Sequence, residues 1–400
     1  YGLCLMALLV IAGGYGYLHT KLPQRSGEIV LPGLKHKVQV LFDEWAVPHI
    51  EAQNEHDAYL ALGYLHAQDR LFQLELMIRV AQGRLSEILG EDMLDADRYF
   101  RTLGISRFAE TYAKDYFHKN PQNVKDALKA YLSGLNAFVS GGPAPIEFTL
   151  LGIPKREYTI KDLICTGVYM SYTFTNAVRQ DPLLSYIHNT FGAGYLKDLA
   201  VYWPKDDTKI DVSSKSSGSE LELAELSFEI ANVLSQVPPF FGSNAWAVSG
   251  SRTKSGKVIL ANDPHIGYAA PSTWYEAHLK TPDWELYGHH IAGIPFAIIG
   301  HNRRMAWGVT MLQNDDLDFY LERSNPDNPD QVWFRDDWED LRIIEEAIPV
   351  RDREDYPLRI RISRHGPVIN DVLEPVQESF KQPVALSWQM LSDFENSTEQ

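Results

Sequence analysis

Residues 240–263 read FFGSNAWAVSGSRTKSGKVILAND. Asn244 to Val248 has strand composition, a Ser-Gly-rich turn follows, and Val258 to Ala261 supplies a second strand, so a β-hairpin is expected. The residues before it differ in kind. From about Asp206 to Gln236 the chain, including DDTKIDVSSKSSGSELELAELS (206–227), is polar, Ser-rich and poor in aromatics, as an exposed and mobile connector is. It runs into VPPFFG (237–242), a stiff Pro pair followed by a flexible Gly. Gly242–Ser243 therefore lies where connector meets strand.

Upstream of the connector the reading is mostly helical. HKVQVLFDEWAVPHIEA (36–52) alternates apolar and polar residues at Val38, Val40 and Phe42, as a half-buried strand does, and turns at Pro48. From Asn54 the period changes: Tyr59, Leu62, Leu65, Leu71, Leu74, Leu76 and Ile78 recur at helical spacing, with Asn54 and Asp57 as caps and Gly90 as the stop. A second helix is expected from Val124 to Phe138, ending at the loop SGGPAP (140–145). Downstream, strand signals recur in HHIAGIPFAIIG, MAWGVTML, LRIRIS and PVALSWQM. A helix-rich part, a connector and a strand-rich part follow one another, without internal repeats.

Composition narrows the partners. The 400 residues give ample volume for a core, and 44% hydrophobic with 22% charged residues is globular usage. A net charge of −16 without a long basic run repels phosphate backbones, which argues against nucleic acid. Residues 1–18, YGLCLMALLVIAGGYGYL, are almost wholly apolar and uncharged. They are slightly short for a membrane span and long for a signal-peptide core; either reading implies export, and a soluble core helix is the plain alternative. Of the two cysteines, Cys4 lies in this segment, and Cys165 in DLICTGVYM reads as a buried small hydrophobe.

Familiar catalytic motifs are missing: no G-x-S-x-G elbow, H-E-x-x-H, P-loop, or G-x-G-x-x-G after a strand. His265, His278, His289, His290 and His301 gather in the second part without zinc spacing. In QNDDLDFY (313–320), Asp315, Asp316 and Asp318 repel one another unless a cation or base neutralises them. Calcium is the natural ion for such oxygen ligands, and a solvated acidic turn is the alternative. Ser243 remains. Cutting before it would leave a free α-amine, which titrates near about 8 and can act as the base that a serine hydroxyl needs. Most Gly-Ser pairs after a loop simply join that loop to a strand.

Several separate segments share a resemblance. GYLHAQDRLFQLELMIRVAQGRLSEILG (63–90) resembles the α-chain helix region of the penicillin acylase family of N-terminal-nucleophile hydrolases. GSNAWAVSG…GKVILANDPHIGYAAPSTWYEAHL resembles the start of that family's β chain, and GHNRRMAWGVTMLQNDDLDFY (300–320) its oxyanion-hole and calcium-binding stretch. The resemblance runs from about Gly33 onward with order and spacing kept. It implies an α+β fold, the αββα sandwich of two stacked antiparallel sheets flanked by helices. It also implies α and β chains cut from one precursor: an α-chain portion at 21–205, behind the signal peptide or membrane anchor read at 1–20, a spacer at 206–242, and the front of the β chain at 243–400.

Site residues carry over one by one. Autocleavage between Gly242 and Ser243 would expose Ser243 as nucleophile. His265 matches a position near its amine, where it would orient the amine or bond the nucleophile. Met311 matches a backbone oxyanion donor. Met170, Phe174, Ile266, Ile299 and Val309 match the acyl pocket; aliphatic residues at several of these places, where phenylacetyl-preferring relatives carry aromatics, imply an aliphatic or mixed acyl group. Asp315, the Leu317 carbonyl and Asp318 match calcium ligands. Gln180 stands where relatives carry a Glu, at the loss of one negative charge, with Asp181 adjacent. The second oxyanion donor, an Asn, is expected beyond residue 400, in a longer protein of which this chain is a piece. The implied reaction is hydrolysis of a small-molecule amide, of the β-lactam side-chain or N-acyl-homoserine lactone type, in the periplasm or facing it from a membrane. Two other readings stand beside it. One is a non-catalytic exported binding protein of the same fold; the other is a metal-dependent hydrolase on His265, His289, His290 and the Asp cluster.

Overall fold

The computed structural model describes residues 2–175, 177–199, 230, 240–311, 316–373 and 382–391. The expected connector, apart from Ile230, therefore lies outside the described residues, as does Asp315. Helices come first in the chain: α1 (Gly2–His19), α2 (Glu55–Gln82), α3 (Ser86–Leu89), α4 (Leu94–Leu103), α5 (Ile105–Thr111), α6 (Gln122–Gly141), α7 (Ile146–Leu151), α8 (Ile160–Thr173), α9 (Ala177–Phe191) and α10 (Ala193–Asp198). Apart from β1 (Gln39–Phe42) and β2 (Pro48–Glu51), the strands follow from Phe240 onward. The class is α+β, as expected.

Two compact units interleave along the chain. The first holds residues 1–79, 109–169 and 240–311. Its frame is a six-stranded sheet in the order β1, β2, β5 (Tyr275–Lys280), β6 (Glu285–Ile291), β7 (Ile294–Asn302), β8 (Ala306–Trp307). Pairing is antiparallel throughout except between β2 and β5, where His49 meets His278 in parallel register. Parallel neighbours need a long crossover, here supplied by the chain between Glu51 and Tyr275. Pro48 opens β2; the turn lies at Asp43–Val47, where Asp43 accepts the Trp45 and Val47 N–H groups, each at 2.9 Å, and Ala46 takes φ 61°.

Helix α2 starts where the caps predict. The Asp57 N–H donates to Asn54 Oδ1 at 2.9 Å, and Asn54 Nδ2 donates to Asp57 Oδ2 at 2.8 Å. It stops at Gln82, before Gly83 at φ 61°, so Gly83 is the breaker and Gly90 closes only the short α3. Helix α6 crosses α2 at a close approach of two glycines. A Cβ on Gly63 would fall 1.9 Å from the Tyr131 carbonyl oxygen, and one on Gly134 1.8 Å from that of Leu60. Both helices cover one sheet face: Tyr59 meets Trp284 at 5.6 Å, His66 meets Tyr275 at 4.4 Å, and the Gly293 N–H donates to Tyr131 Oη at 2.9 Å. Leu60, Leu62, Leu71, Leu74 and Ile78 fill the seam with Leu135, Ala277 and Leu279. Cys165 is buried.

The second unit, residues 80–108, 170–239 and 312–400, carries β9 (Leu317–Leu321) paired with the strand Val384–Trp388 and, among the described residues, two three-stranded sheets. Inward Leu358, Ile360 and Ile362 alternate along Tyr356–Ser363. Arg101 reaches Glu346 at 3.2 Å, and Tyr99 Oη meets Tyr172 Oη at 2.6 Å. At the front of the chain, α1 contains four glycines and ends in His19. Among the described residues no helix is long and apolar enough to cross a membrane.

Candidate active site

The hairpin expected at 244–261 is longer on both sides. β3 runs Phe240–Val248 and β4 Ile259–Ile266, so the Gly242–Ser243 bond lies inside a strand and not at its edge. A register irregularity separates Phe240 from Gly242, which takes φ 149°, a conformation that favours glycine. Beyond it the pairing is regular: Gly242 with His265, Ser243 with Pro264, Asn244 with Asp263, Ala245 with Asn262. Directly opposed residues share a face, so two sets of side chains separate.

On one face stand Ser243, Ala245, Asn262, Pro264 and Ile266. The segment after β8 meets this face. The Met311 N–H donates to Ser243 Oγ at 3.2 Å. Asn262 engages the peptide of Val309 on both sides, accepting from the Val309 N–H at 3.0 Å and donating to the Val309 carbonyl at 3.0 Å. It also donates to the Asn244 carbonyl at 2.8 Å. Gly308 makes this approach possible: a Cβ there would stand 2.8 Å from Asn262 Cβ, Cγ and Oδ1. Asn262 escaped the reading of the sequence; its only signal was its place beside His265 in NDPHIG.

On the opposite face His265 Nε2 meets Asp263 Oδ2 at 3.0 Å, and Asn244 Nδ2 reaches the same carboxylate at 3.3 Å. The bonds from His265 and then Asn244 pull the Asp263 carboxyl below its ordinary range. The His265 ring thus lies on the face opposite the Ser243 hydroxyl, and His265 is paired in register with Gly242.

The pocket candidates divide. Ile266 closes β4 half-buried, Ile299 pairs with His289 in β7, and Val309 is 40% exposed. Met170 in α8 and Phe174 just after it, both half-buried, belong to the second unit. So do the calcium candidates, apart from the undescribed Asp315. Leu317 is buried and Asp318 exposed at the start of β9, and α9, which carries Gln180 and Asp181, packs against that strand. Asp316 Oδ1, next to Leu317, is a buried oxygen with no hydrogen-bond partner among the described residues. Carboxylate, amide and carbonyl oxygens are the donor set that calcium takes. The histidine-based metal site does not assemble: His289 and His290 alternate on β6 and face opposite sides, and among the described residues no three His, Cys, Asp or Glu side chains cluster to hold a metal.

Known proteins resemble the chain over most of its length. A penicillin acylase 2 proenzyme from Pseudomonas sp. strain SE83 is 35% identical over 89% of this chain and 47% of its own length. An acyl-homoserine lactone acylase of Pseudomonas aeruginosa is 28% identical over 95% and 46%, and a penicillin G acylase of Escherichia coli 24% identical over 83% and 46%. The chain spans about half the length of these curated relatives. Among solved structures, the orthorhombic form of a thermostable penicillin G acylase from Alcaligenes faecalis aligns at 26% identity and TM-score 0.32, covering 37% of this chain and 25% of that one. The profile of the family described as Penicillin amidase matches residues 37–400, and the chain belongs to that family.

Proposed function

We propose that this chain forms the front of an amidohydrolase that cleaves a carboxylic amide through an acyl-enzyme on Ser243, exposed as an N-terminus by autocleavage after Gly242. The observation that carries the reading is the Met311 N–H held 3.2 Å from Ser243 Oγ. A donor beside the attacking oxygen also lies beside the carbonyl oxygen that the attack turns into an anion, where losing it costs about 10²–10³ in rate. The freed α-amine of Ser243 would take the hydroxyl proton and later return it to the leaving amine. His265, paired in register with Gly242, would stand beside that amine and orient it.

The names of the relatives point to two amide classes, β-lactam side chains and N-acyl-homoserine lactones. Aliphatic Ile266, Ile299 and Val309, with Met170 and Phe174, suit an aliphatic or mixed acyl group. Gln180, Asp315, Leu317 and Asp318 would hold a structural calcium, supported by the packing of α9 on β9 and the Asp316 oxygen that has no partner among the described residues. Export to the periplasm extends the reading, on the strength of the apolar α1. The test is intact mass and N-terminal sequencing of the expressed protein beside Ser243→Ala. A new chain beginning Ser-Asn-Ala-Trp only in the wild type supports the mechanism. A folded wild type that stays whole refutes it and leaves the binding-protein reading.

A further inference from the structure

We propose that Asn262 is a positioning residue for the oxyanion donor, holding the Val309–Met311 segment against the Ser243 face of the hairpin. The inference rests on the reading of Ser243 as nucleophile and Met311 as donor.

Its geometry is that of a side chain replacing a strand. The Asn262 amide pairs with the Val309 peptide as a neighbouring backbone would, one bond accepted and one donated, both at 3.0 Å. The spare Nδ2 hydrogen goes to the Asn244 carbonyl at 2.8 Å, adjacent to Ser243. One planar amide therefore ties the residue after the nucleophile to the residue two before the donor. β8 ends at Trp307, and, among the described residues, 308–311 lie outside the strand pairing of the six-stranded sheet. Asn is suited to this because its two donors and its acceptor lie in one plane; Asp would lose both donations and turn a charge toward two carbonyl oxygens. Gly308 allows the approach, since any Cβ there meets the Asn262 side chain at 2.8 Å.

A donor that drifts by 1 Å can cost about 10²-fold in rate even when every reacting group is intact. The loss falls on the transition state, so kcat should drop while KM holds. The experiment compares wild type, Asn262→Ala, Gly308→Ala and the double variant in the full protein, using acyl p-nitroanilides, with Ser243→Ala as control. Rates are normalised to the fraction of chain that begins at Ser243, read by intact mass. The expected result is a kcat lowered by about 10–100-fold in each single variant, KM within about threefold, and a double variant hardly worse than the singles, because both strike one contact. An unchanged kcat, a rise in KM alone, or full additivity overturns the inference. If Asn262→Ala does not fold, Gly308→Ala decides by the same kcat and KM criteria. Wild-type hydrolysis that survives Ser243→Ala, or no hydrolysis at all, refutes the nucleophile reading instead, and the role of Asn262 falls with it.

Discussion

Acid should unfold the first unit through two histidines that have no part in the proposed chemistry. His290 on β6 and His66 on α2 are buried with their ring centroids 5.8 Å apart. Burial disfavours the imidazolium, holding His66 well below its ordinary value and bringing His290 from 6.5 down to about 4. Above pH 6.5 the imidazole is neutral in the folded and the unfolded chain, and stability is complete. As pH falls below 6.5 the unfolded chain takes up a proton that the fold refuses until about 4, so stability is lost across that window and levels off below it. For His290 the gap amounts to about 3 kcal/mol, at about 1.4 kcal/mol per pH unit. His66 adds to the loss in the same direction. Urea denaturation at pH 7 and pH 4 reads it, with His290→Leu separating this group from the carboxylates that titrate in the same range. The variant should lose about 3 kcal/mol less than the wild type on acidification. Parallel losses in both proteins would refute the reasoning, because the buried imidazole would then be contributing nothing.

Other outcomes follow from the same geometry. Gly134→Ala should destabilise by about 1–3 kcal/mol despite the better helix propensity of Ala, because the methyl lies 1.8 Å from the Leu60 carbonyl oxygen; an unchanged melting temperature would contradict the close helix approach. Asn54→Ala removes both bonds of the α2 cap and should cost about 1 kcal/mol in chemical denaturation. For the proposed calcium, a chelator should lower the melting temperature and added calcium, but not zinc, should restore it; indifference to the chelator removes the ion from the account.

What could be read from the sequence follows from where the physical signal is local. The start of α2 was legible because Asn54 and Asp57 satisfy helix-end groups within four residues. The stop was misplaced because Gly83 and Gly90 look alike in the sequence. Only packing separates them: a Cβ on Gly83 would meet the Asp97 carbonyl at 2.6 Å, whereas one on Gly90 meets nothing. Gly63 and Gly134 look like weak points in helices, and their use as a crossing depends on residues about 70 positions apart. The same holds for the parallel pairing of β2 with β5. At the site, Ser243 and Met311 came from the resemblance. Asn262 could not be found, since an Asn in a strand carries no periodic signal for bonds to a segment 47 residues away.

The placement of Gly242–Ser243 within β3 bears directly on the proposed maturation. Had the bond stood in a loop, cutting it would free Ser243 to move, and the donor geometry would have to be rebuilt. Within the strand, six register pairs from Ser243–Pro264 to Val248–Ile259 lie on the far side of the cut and survive it. Cleavage would change the Ser243 nitrogen from an amide to an amine with little displacement of its hydroxyl, which the Met311 N–H already reaches. The register irregularity and the glycine conformation fall on the near side, at Phe240 and Gly242, in the part released. Strain would thus be confined to the segment that leaves, and the part that stays would be ordered beforehand. Gly242→Ala tests this division. It should slow the appearance of the chain beginning at Ser243 in a time course of intact mass, while leaving kcat of the matured fraction at the wild-type value. A lowered kcat in that fraction would mean that the cut does rearrange Ser243.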